Sequence, residues 1–533
     1  MRNPASLPVD QDLVDIAVNA LLDPALEPIV EMVITADEEA YEARTVDGLV
    51  RFTVDHDEGG GEPGDEQAVQ HGWSFTDTVV EGRNPLEAQD TGRFSPLADE
   101  RAHHWPDRTE TSYPFAHEMI AQIFDSPSAP DVICLHTSAH NWEDHGGERG
   151  EHGSLGIVQA RAPFILAGAG VRPLGMVARS CRLVDVAPTV LALMGVAPHP
   201  AGVGLNGRRR PDALLRRQDG EVMVDLLEAS SFAANGAAVS RPDHVVGFLF
   251  DGCNPNVLYD AVAAGEAPNV ARLIGMGVAF ERGAMSSMPT VTLANHTSIL
   301  TGAHPGHHGI LNNAWFDRAA GRQVITNSPD TWPWSMATLS PDVETMYQAV
   351  KRTWPEAFTL AANEPCDTGA DFGTFHLLRD GAMPVMPPKA EDLPFATERF
   401  VRPEKSYSTA SRIDHIGLEM ALGVWGAGYQ GTEYPLPRFS WVNFSLTDAA
   451  FHRGGPYSEI ARASIHDTDA RLGQVMHAVE RRGVFDRTAF FLVADHGMED
   501  SNPDVTGDWA PALDATGIPY RDEAYMWIYT GVT

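Results

Sequence analysis

The stretch "HVVGFLFDG", His244 to Gly252, decides how this chain is expected to fold. Its first seven residues form an almost continuous apolar run, which is typical of a strand buried on both faces. The stretch "APNVARLIGMG" follows it and has helical spacing through Val270, Leu273 and Ile274, with Gly275 near the stop. Together the two segments predict one strand–helix unit of a parallel sheet.

The same alternation of strand and helix recurs on both sides of this stretch. Before it lie the strand "APFILAGAG" and the helix "DVAPTVLALMG", with Asp185 as the helix cap and Gly195 as the stop. After it, "RLGQVMHAVERRG" has helical spacing up to Gly483 and leads into the strand "TAFFLVA". Near the start, "YEARTVDGLVRFTV" predicts a hairpin turning at Asp47 and Gly48. The expected fold class is α/β, with a mostly parallel central sheet sandwiched by helices.

Composition limits the classes of partner. The 533 residues include 73 Asp plus Glu against 38 Lys plus Arg, which gives a formal net charge of −35. Because this field repels nucleic-acid backbones and anionic membranes, neither is expected as a partner, and an anionic substrate needs local cations or metals.

The four cysteines form no CxxC pair, so they are expected to be reduced thiols. A cytoplasmic protein is expected, since the N-terminus does not resemble a signal peptide and no apolar stretch reaches membrane-spanning length. Oligomeric state is left open.

Carboxylate and imidazole side chains follow three of the predicted strands. Open α/β sheets build their sites at the carboxyl ends of such strands, and a charged pair behind an apolar strand is costly without a counter-ion. Asp251 follows "HVVGFLF", Asp448 and His452 follow an alternating strand that begins near Trp441, and Asp495 and His496 follow "TAFFLVA". Such sets meet the requirement of a two-metal site, and sets without thiolate favour zinc, with manganese or iron next.

A hydroxyl-rich stretch, "MPTVTLANHTSILTG" from Met288 to Gly302, predicts a partly buried helix. It carries five hydroxyl side chains among apolar residues, and a buried hydroxyl needs a partner. A threonine hydroxyl at the start of a helix can be ionised by a metal and attack phosphorus.

The segments "FLFDGCNP", "PNVARLIGMGV", "MPTVTLANHTSILTGAHPGHHGILNN", "TDAAFH" and "VADHGM" resemble, in order and spacing, the alkaline phosphatase superfamily. They are most similar to its type I phosphodiesterase/nucleotide pyrophosphatase branch, with the related phosphonoacetate hydrolases. The resemblance covers about two thirds of the chain. It implies a phosphorylated threonine intermediate and two zinc ions.

The resemblance also implies roles for individual residues. The family nucleophile falls on Thr292, with Thr290 and Ser298 as rivals, and the asparagine that helps hold the phosphoryl oxygens falls on Asn295. His296 either lines the substrate pocket or caps the helix. One metal takes Asp251, Thr292, Asp495 and His496, and the other takes Asp448, His452 and one further histidine.

That further histidine points to an altered chain order. In the family it follows the Asp-His-Gly motif, but here only about 35 residues remain after that motif. "GGERGEHGSLGIVQARAPFILAGAGV" resembles the C-terminal portion of the same superfamily and supplies His152, with His145 as its rival. A circular permutation is therefore expected, because the ends of compact domains often lie close together. Its parts are 1–207 as the C-terminal half of the catalytic fold, 208–242 as a linker, and 243–533 as the N-terminal half, with a substrate-covering insertion at 313–438. A tandem-copy remnant that pairs with another chain is the alternative.

The function that this resemblance implies is metal-dependent hydrolysis of a small-molecule phosphate ester or phosphonate, most closely as a phosphodiesterase or nucleotide pyrophosphatase. Phosphonoacetate hydrolase or phosphomonoesterase activity on the same core, and a metal-binding pseudoenzyme, are the alternatives. Sulfatase chemistry is disfavoured because the Cys/Ser-x-Pro-x-Arg motif is absent from the sequence. Arg402, Lys405 and Arg412 are the cations of the insertion that could meet a substrate anion.

Overall fold

The computed structural model describes residues 9–55, 73–142, 147–228, 241–386, 405–426, 428–524 and 526–532. His145 and Arg402 lie outside these residues, as does the side chain of Lys405. Within them the strands are β1 Val30–Ala36, β2 Tyr41–Thr45, β3 Gly48–Asp55, β4 Ser74–Gly82, β5 Val132–His136, β6 Gly150–Glu151, β7 Arg161–Ala162, β8 Phe164–Gly168, β9 Gly175–Val177, β10 Cys181–Arg182, β11 Val203–Gly204, β12 Arg217–Gln218, β13 His244–Phe250, β14 Gly277–Phe280, β15 Ala284–Met285, β16 Ala314–Asp317, β17 Arg322–Ile325, β18 Thr359–Ala362, β19 Phe372–Gly373, β20 Phe439–Phe444, β21 Thr488–Val493, β22 Glu499–Asp500, β23 Tyr520–Glu523 and β24 Trp527–Thr530.

The helices are α1 Gln11–Leu21, α2 Leu97–Ala102, α3 Ala116–Phe124, α4 Ile157–Ala160, α5 Val186–Met194, α6 Pro255–Ala263, α7 Pro268–Met276, α8 Thr292–Thr301, α9 Pro305–His308, α10 Met346–Thr353, α11 Thr374–Arg379, α12 Lys405–Trp425, α13 Leu446–Gly454, α14 Glu459–Arg481 and α15 Ala510–Thr516. Among the described residues, no helix combines the length and the apolar character needed to cross a lipid bilayer. All four cysteines are buried and none is in a disulfide.

The central sheet has eight strands in the order β19–β18–β20–β13–β21–β8–β14–β9. Neighbouring strands are parallel except where β8 pairs with β21 and with β14. Every residue of β20 and β21 is buried. β21 is a continuous apolar run because both of its faces are covered, whereas β20 was predicted from its alternating pattern and includes Ser440 and Asn443. The predicted α/β class with a mostly parallel sheet is confirmed.

A second sheet, which the sequence analysis did not predict, has seven antiparallel strands in the order β23–β24–β5–β1–β2–β3–β4. It joins the two ends of the chain, because β24 pairs with β5. The predicted hairpin is its β2–β3 pair, but Thr45 pairs with Gly48, so the loop residues are Val46 and Asp47, one position earlier than expected. The hydroxyl of Thr45 donates to the Asp47 carboxylate at 2.8 Å and stabilises this two-residue loop.

The prediction that the Asp185 side chain caps α5 is wrong. The Asp185 carboxylate makes no capping hydrogen bond to α5 and instead accepts from the backbone N–H of Arg182 at 2.9 Å and from its guanidinium at 2.8 Å. Arg182 is buried, so its charge requires a carboxylate more than the helix end does. The predicted stop is confirmed, since Gly195 has a left-handed φ of 78°.

The first part of the predicted linker, residues 208–228, is packed against the rest of the molecule. Ala213 and Leu215 are fully buried in this segment. Asp219 is also buried, and its carboxylate pairs with the Arg217 guanidinium at 3.0 Å and accepts the backbone N–H of His304 at 2.8 Å. A run of arginines looks like a solvated segment in sequence, but here buried carboxylates offset their charge. Residues 229–240 lie outside the described part of the chain.

The predicted insertion at 313–438 is also different in the structure. Strand β18 lies between β19 and β20 in the central sheet, and α12 packs against both β18 and β20. Much of this segment is therefore part of the α/β core. β18 could not be recognised as a core strand in the sequence, because it has only four residues and is flanked by polar and proline-rich stretches.

Candidate metal centre and active site

Site A is the group Asp251, Asp495 and His496, which follow the neighbouring parallel strands β13 and β21. One ligand atom from each lies within 4.8 Å of the others. Gly252 has a left-handed φ of 61°, and its N–H donates to Asp495 Oδ1 at 3.0 Å. The backbone therefore turns sharply directly after Asp251, and this turn places the Gly252 N–H against the Asp495 carboxylate.

The electrostatics of site A favour a bound cation. Burial, followed by the negative charges of Asp495 and Asp448, raises the pKa of Asp251 well above its usual value. Burial acts against ionisation of Asp495 as well, but His496 lowers the pKa of that carboxyl to about 2. Asp251 Oδ1, Asp495 Oδ2 and His496 Nε2 are buried and have no hydrogen-bond partner. A divalent cation would offset this crowded charge and satisfy all three atoms.

Site B is the group His152, Asp448 and His452. His152 Nε2 lies 3.1 Å from His452 Nε2 and 4.0 Å from Asp448 Oδ1, and His452 Nε2 lies 3.4 Å from the same oxygen. The four-residue spacing in α13 puts Asp448 and His452 on one face, as predicted. The structure therefore brings a histidine from the first third of the chain together with two residues from its last hundred.

All three histidines of the two sites present the same ring nitrogen. Each donates its Nδ1–H to a backbone carbonyl: His152 to Thr290 at 2.8 Å, His452 to Gly150 at 2.7 Å and His496 to Gly497 at 2.8 Å. A neutral ring held in this way carries its lone pair on Nε2, the arrangement that metal-binding histidines adopt. Burial, followed by the proximity of His496 and His452, lowers the pKa of His152 well below its usual value. Two lone pairs only 3.1 Å apart repel each other unless a proton or a metal ion lies between them.

Sites A and B are adjacent. The rings of His152 and His496 stack with their centroids 3.7 Å apart. A Cβ added to Gly252, next to a site A carboxylate, would lie 2.6 Å from Asp448 Oδ1 of site B. The close approach of the two backbones therefore requires glycine at position 252.

Thr292 is the first residue of α8 and is only partly buried. It lines a cavity of about 730 Å³ together with the three residues of site B. The rival hydroxyls point elsewhere: that of Thr290 donates to the Ser154 carbonyl at 2.8 Å, and that of Ser298 donates to the Ala294 carbonyl at 3.1 Å. Of the three residues weighed as the nucleophile, Thr292 is the one that lines the cavity.

The structure contradicts the phosphoryl-binding role predicted for Asn295. This residue is fully buried and does not line the cavity. Its Oδ1 accepts the N–H of Ser287 at 2.8 Å, and its Nδ2 donates to the carbonyls of Ser287 at 3.1 Å and Pro289 at 2.9 Å. The carboxamide is thus occupied by the backbone that precedes α8, which it holds in place.

Asn312 and Asn313 are the residues that the sequence analysis missed. Both line the cavity, and Asn312 Nδ2 and Asn313 Oδ1 are buried without a hydrogen-bond partner. The available signal was the "HGILNN" that ends the longest family-like segment. Asn312 Nδ2 is therefore placed to donate to an anionic ligand in the cavity that Thr292 also lines, whereas the unpartnered Asn313 Oδ1 is an acceptor.

His296 neither lines the cavity nor caps α8. It lies behind site A, with Nδ1 3.1 Å from the buried Glu364 carboxylate and Nε2 3.7 Å from Asp251 Oδ2 and 3.6 Å from Asp495 Oδ2. Glu364 also accepts the indole N–H of Trp441 at 2.7 Å. The sequence gave no local signal for Glu364, because the strand before it was assigned to a surface insertion.

Three other histidines near α8 are held in hydrogen bonds and do not contribute to either site. His304 Nε2 lies 3.0 Å from Glu118, His307 pairs with Asp219 and with Asp125, and His308 donates to the Ala294 carbonyl at 3.1 Å. Arg412 does not line the cavity. Among the residues that the structure describes, no lysine or arginine is in the cavity wall.

One protein family and several known proteins are similar to parts of this chain. The family described as type I phosphodiesterase / nucleotide pyrophosphatase matches residues 245–530, a range that includes every predicted ligand except His152. Alkaline phosphatase PafA of Elizabethkingia meningoseptica is 35% identical over 94 residues, which are 18% of this chain and 17% of that protein. Ectonucleotide pyrophosphatase/phosphodiesterase 1 of Saccharomyces cerevisiae is 24% identical over 244 residues, which are 42% of this chain and 30% of that protein.

A solved structure of murine ectonucleotide pyrophosphatase/phosphodiesterase 5 overlaps 52% of this chain and 64% of its own, with 17% identity and a TM-score of 0.37. The aligned residues span less than a third of the length of the two curated relatives.

Proposed function

The chain belongs to the type I phosphodiesterase/nucleotide pyrophosphatase family, and on that premise we propose that it is a metal-dependent hydrolase of phosphate esters. Its reaction is that of a phosphodiesterase or nucleotide pyrophosphatase, and it proceeds through a phosphorylated Thr292 at a two-zinc site. The substrate is a small-molecule phosphate ester. A cytoplasmic location stays a prediction from the N-terminal sequence.

The single observation that carries this proposal is the pair of Nε2 atoms of His152 and His452, 3.1 Å apart, with both Nδ1 atoms occupied by backbone carbonyls. In site A the orphaned buried atoms of Asp251, Asp495 and His496 support the same conclusion. Carboxylate and imidazole ligands without thiolate fit zinc, with manganese or iron next. When bound, two such cations supply positive charge that lowers the pKa of the attacking hydroxyl and offsets charge on the leaving oxygen.

Thr292 acts as the nucleophile in the first of two displacements. Its Oγ forms a bond to phosphorus while the P–O bond to the leaving group breaks, so the chain holds a phosphothreonine and the alcohol departs with a proton. Water then forms a new P–O bond, the P–Oγ bond breaks, and the Thr292 hydroxyl is restored. The N-terminus of α8 favours negative charge on Oγ.

Asn312 and Asn313 position the phosphoryl group, because their carboxamides face the same cavity as Thr292. A diester fits this cavity better than a monoester does. A diester carries one negative charge on its phosphoryl oxygens, whereas a monoester at neutral pH carries close to two, and no lysine or arginine in the described wall of the cavity offsets the second.

Replacement of Thr292 tests the proposal directly. Thr292→Ala should reduce hydrolysis of bis(p-nitrophenyl) phosphate by about 10³-fold or more, because the covalent step is lost. Zinc content, measured by atomic spectroscopy, should stay largely intact, since six other ligands remain. Thr292→Ser keeps a hydroxyl and should retain much more activity than the alanine variant. Full activity in Thr292→Ala would remove the assigned nucleophile, and wild-type protein that binds zinc but cleaves no ester would indicate a pseudoenzyme.

We also propose that the chain order is circularly permuted, with residues 1–207 and 243–533 as the two halves of one catalytic fold. Three contacts support this. Strand β8 from the first half lies between β21 and β14 from the second, β24 pairs with β5, and His152 completes site B. A tandem-copy remnant would leave each half incomplete within its own chain, whereas here one chain supplies both ligand sets.

A further inference from the structure

Thr290 is bound to one short segment from the other half of the chain, residues 152–154, through its N–H, its carbonyl and its hydroxyl. Its hydroxyl donates to the Ser154 carbonyl at 2.8 Å and accepts the Gly153 N–H at 2.9 Å. Its own N–H donates to the Gly153 carbonyl at 3.3 Å, and its carbonyl accepts the Nδ1–H of His152 at 2.8 Å. One buried side chain and its backbone therefore hold three consecutive residues that are 136 to 138 positions away in the sequence.

The other end of this segment is held by a ligand of site B. The carbonyl of Gly150 accepts the Nδ1–H of His452 at 2.7 Å. A Cβ added to Gly150 would lie 2.4 Å from the carbonyl oxygen of Phe451, so the two backbones are in close contact there. The backbone that carries His152 is thus fixed on both sides of the imidazole, by His452 on one side and by Thr290 on the other.

The position of Thr290 links this segment to the proposed nucleophile. Only Val291 separates it from Thr292, the first residue of α8. The Thr290 hydroxyl is buried and both donates and accepts a hydrogen bond, so it is occupied by backbone groups. Because the same residue contacts His152 and precedes Thr292, a displacement of Thr290 would move both.

We propose that Thr290 is a positioning residue that fixes His152 in site B and sets the place of that site relative to Thr292. Its carbonyl fixes the tautomer of the imidazole, and its hydroxyl fixes the backbone that carries it. This inference rests on the hydrolase function proposed above, because it takes site B as a metal site. Outer partners that orient a metal-binding histidine are worth about 10–100-fold in metal affinity.

The test removes the hydroxyl and keeps the shape of the side chain. Thr290→Val leaves the Gly153 N–H and the Ser154 carbonyl without their buried partner, which is costly unless the segment shifts. In competition with a chromophoric chelator, the full-length variant should bind zinc about 10–100-fold more weakly at one site only. Thr290→Ser restores the hydroxyl and should bring the affinity back to within about threefold of the wild-type value.

Thr301→Val is the matched control. Thr301 is also completely buried, and its hydroxyl also donates to a carbonyl, that of Thr297 at 2.7 Å, and accepts an N–H, that of Ala303 at 3.4 Å. These partners lie within or next to α8 and not in residues 152–154. Its substitution should leave both zinc affinities unchanged, although the same buried hydroxyl is lost.

The kinetics separate positioning of a metal ligand from a general loss of structure. At a free zinc concentration that just saturates the wild-type protein, Thr290→Val should hydrolyse bis(p-nitrophenyl) phosphate slowly. Raising free zinc by about 10–100-fold should restore most of kcat, with KM for the diester nearly unchanged. A variant that was only less well folded would stay below the wild-type rate at every zinc concentration.

The outcomes separate this inference from the hydrolase function. Unchanged zinc affinity in Thr290→Val, equal weakening in Thr290→Ser, or equal weakening in Thr301→Val would each overturn the positioning role and leave the hydrolase function standing. If wild-type protein binds two zinc ions but cleaves no ester, the hydrolase function is contradicted, and the chelator competition still decides the role of Thr290. Should Thr290→Val fail to fold, Thr290→Ala, which is smaller and also lacks the hydroxyl, takes its place in the same measurements.

Discussion

Site A and site B are built from the same residue types but in different ways. The ligands of site A are completely or almost completely buried, follow neighbouring strands of one sheet, and have His296 and Glu364 behind them. Those of site B are partly exposed, and one of them comes from a distant part of the chain. The sheet alone therefore fixes site A, whereas site B exists only if the first third of the chain docks onto the rest.

The largest effect is expected from breaking site B at the residue that joins the two parts. His152→Ala should lower diesterase activity by about 10²–10³-fold and reduce bound zinc from about two ions to one per chain, because the remaining Asp448 and His452 are too few ligands. Zinc analysis and kcat/KM check this. His145→Ala, the rival histidine from the sequence, should leave both values unchanged. Two zinc ions in the His152 variant would contradict the assigned ligand.

A smaller effect is expected from loosening the support behind site A. Glu364→Gln keeps the shape of the side chain but removes the charge that holds His296 against Asp251 and Asp495. Outer partners of this kind are worth about 10–100-fold in metal affinity. Competition with a chelator should show weaker zinc binding at one site only.

Glu344→Gln is the matched control for that variant. Glu344 is also buried and pairs with Arg352 at 2.9 Å, but it is not in contact with either site. Its substitution should leave both zinc affinities unchanged. Equal weakening of both sites by Glu364→Gln would indicate a general loss of structure rather than support of site A.

A third prediction concerns the contact between β22 and β6, which holds Gly150 beside His452 of site B. Burial, with the charges of Glu100, Glu31 and Asp500, raises the pKa of Glu499 from 4.5 to about 8, although Gln159 donates to it. The folded state therefore keeps a proton that the unfolded state loses above pH 4.5, so the free energy of unfolding should fall as pH rises from about 4.5 to beyond 8.

Glu499→Gln should remove that part of the pH dependence. We expect the variant to be about 2–4 kcal/mol more stable than wild type at pH 8.5 and nearly equal to it at pH 4.5. Denaturant unfolding at several pH values measures this difference. Glu87→Gln, at an exposed position, should follow the wild-type curve. Parallel curves for Glu499→Gln and wild type would contradict the predicted titration.

The smallest effect is expected from a chain whose two parts are joined in the opposite order, which tests the proposed permutation. The side chain of Leu13 would lie 3.6 Å from a Cβ added to Gly531, so the two ends of the chain are close in space. A chain that begins at Arg241, ends at Glu228 and joins Thr533 to Met1 through a short flexible linker should bind the same amount of zinc. Its activity should stay within about twofold of the original. Failure of this relinked chain to fold would contradict the permutation.

The predictions that held were those that depend on local sequence. β13 and β21 read as buried strands because both of their faces are covered, and the carboxylates that follow them could be located by counting from the strand ends. The Asp448–His452 pair was found by its helical spacing. His152 was placed by a resemblance alone, and its packing against His452 could not be derived from the residues near it.

By itself, the sequence determined the α/β class, the strands β8, β13, β20 and β21 of the central sheet and the identity of most candidate ligands, because strand patterns and strand-end charges are local. Only the tertiary structure decided which polar side chains remain available for a ligand. The Asn295 carboxamide is fully hydrogen-bonded to backbone groups, whereas Asn312 lines the cavity without a partner for its Nδ2. Asp219 is buried in the segment that was expected to be a linker, and Glu364 lies behind site A. The physical reason is that hydrogen bonding and burial depend on partners far away in the sequence, which no local pattern records.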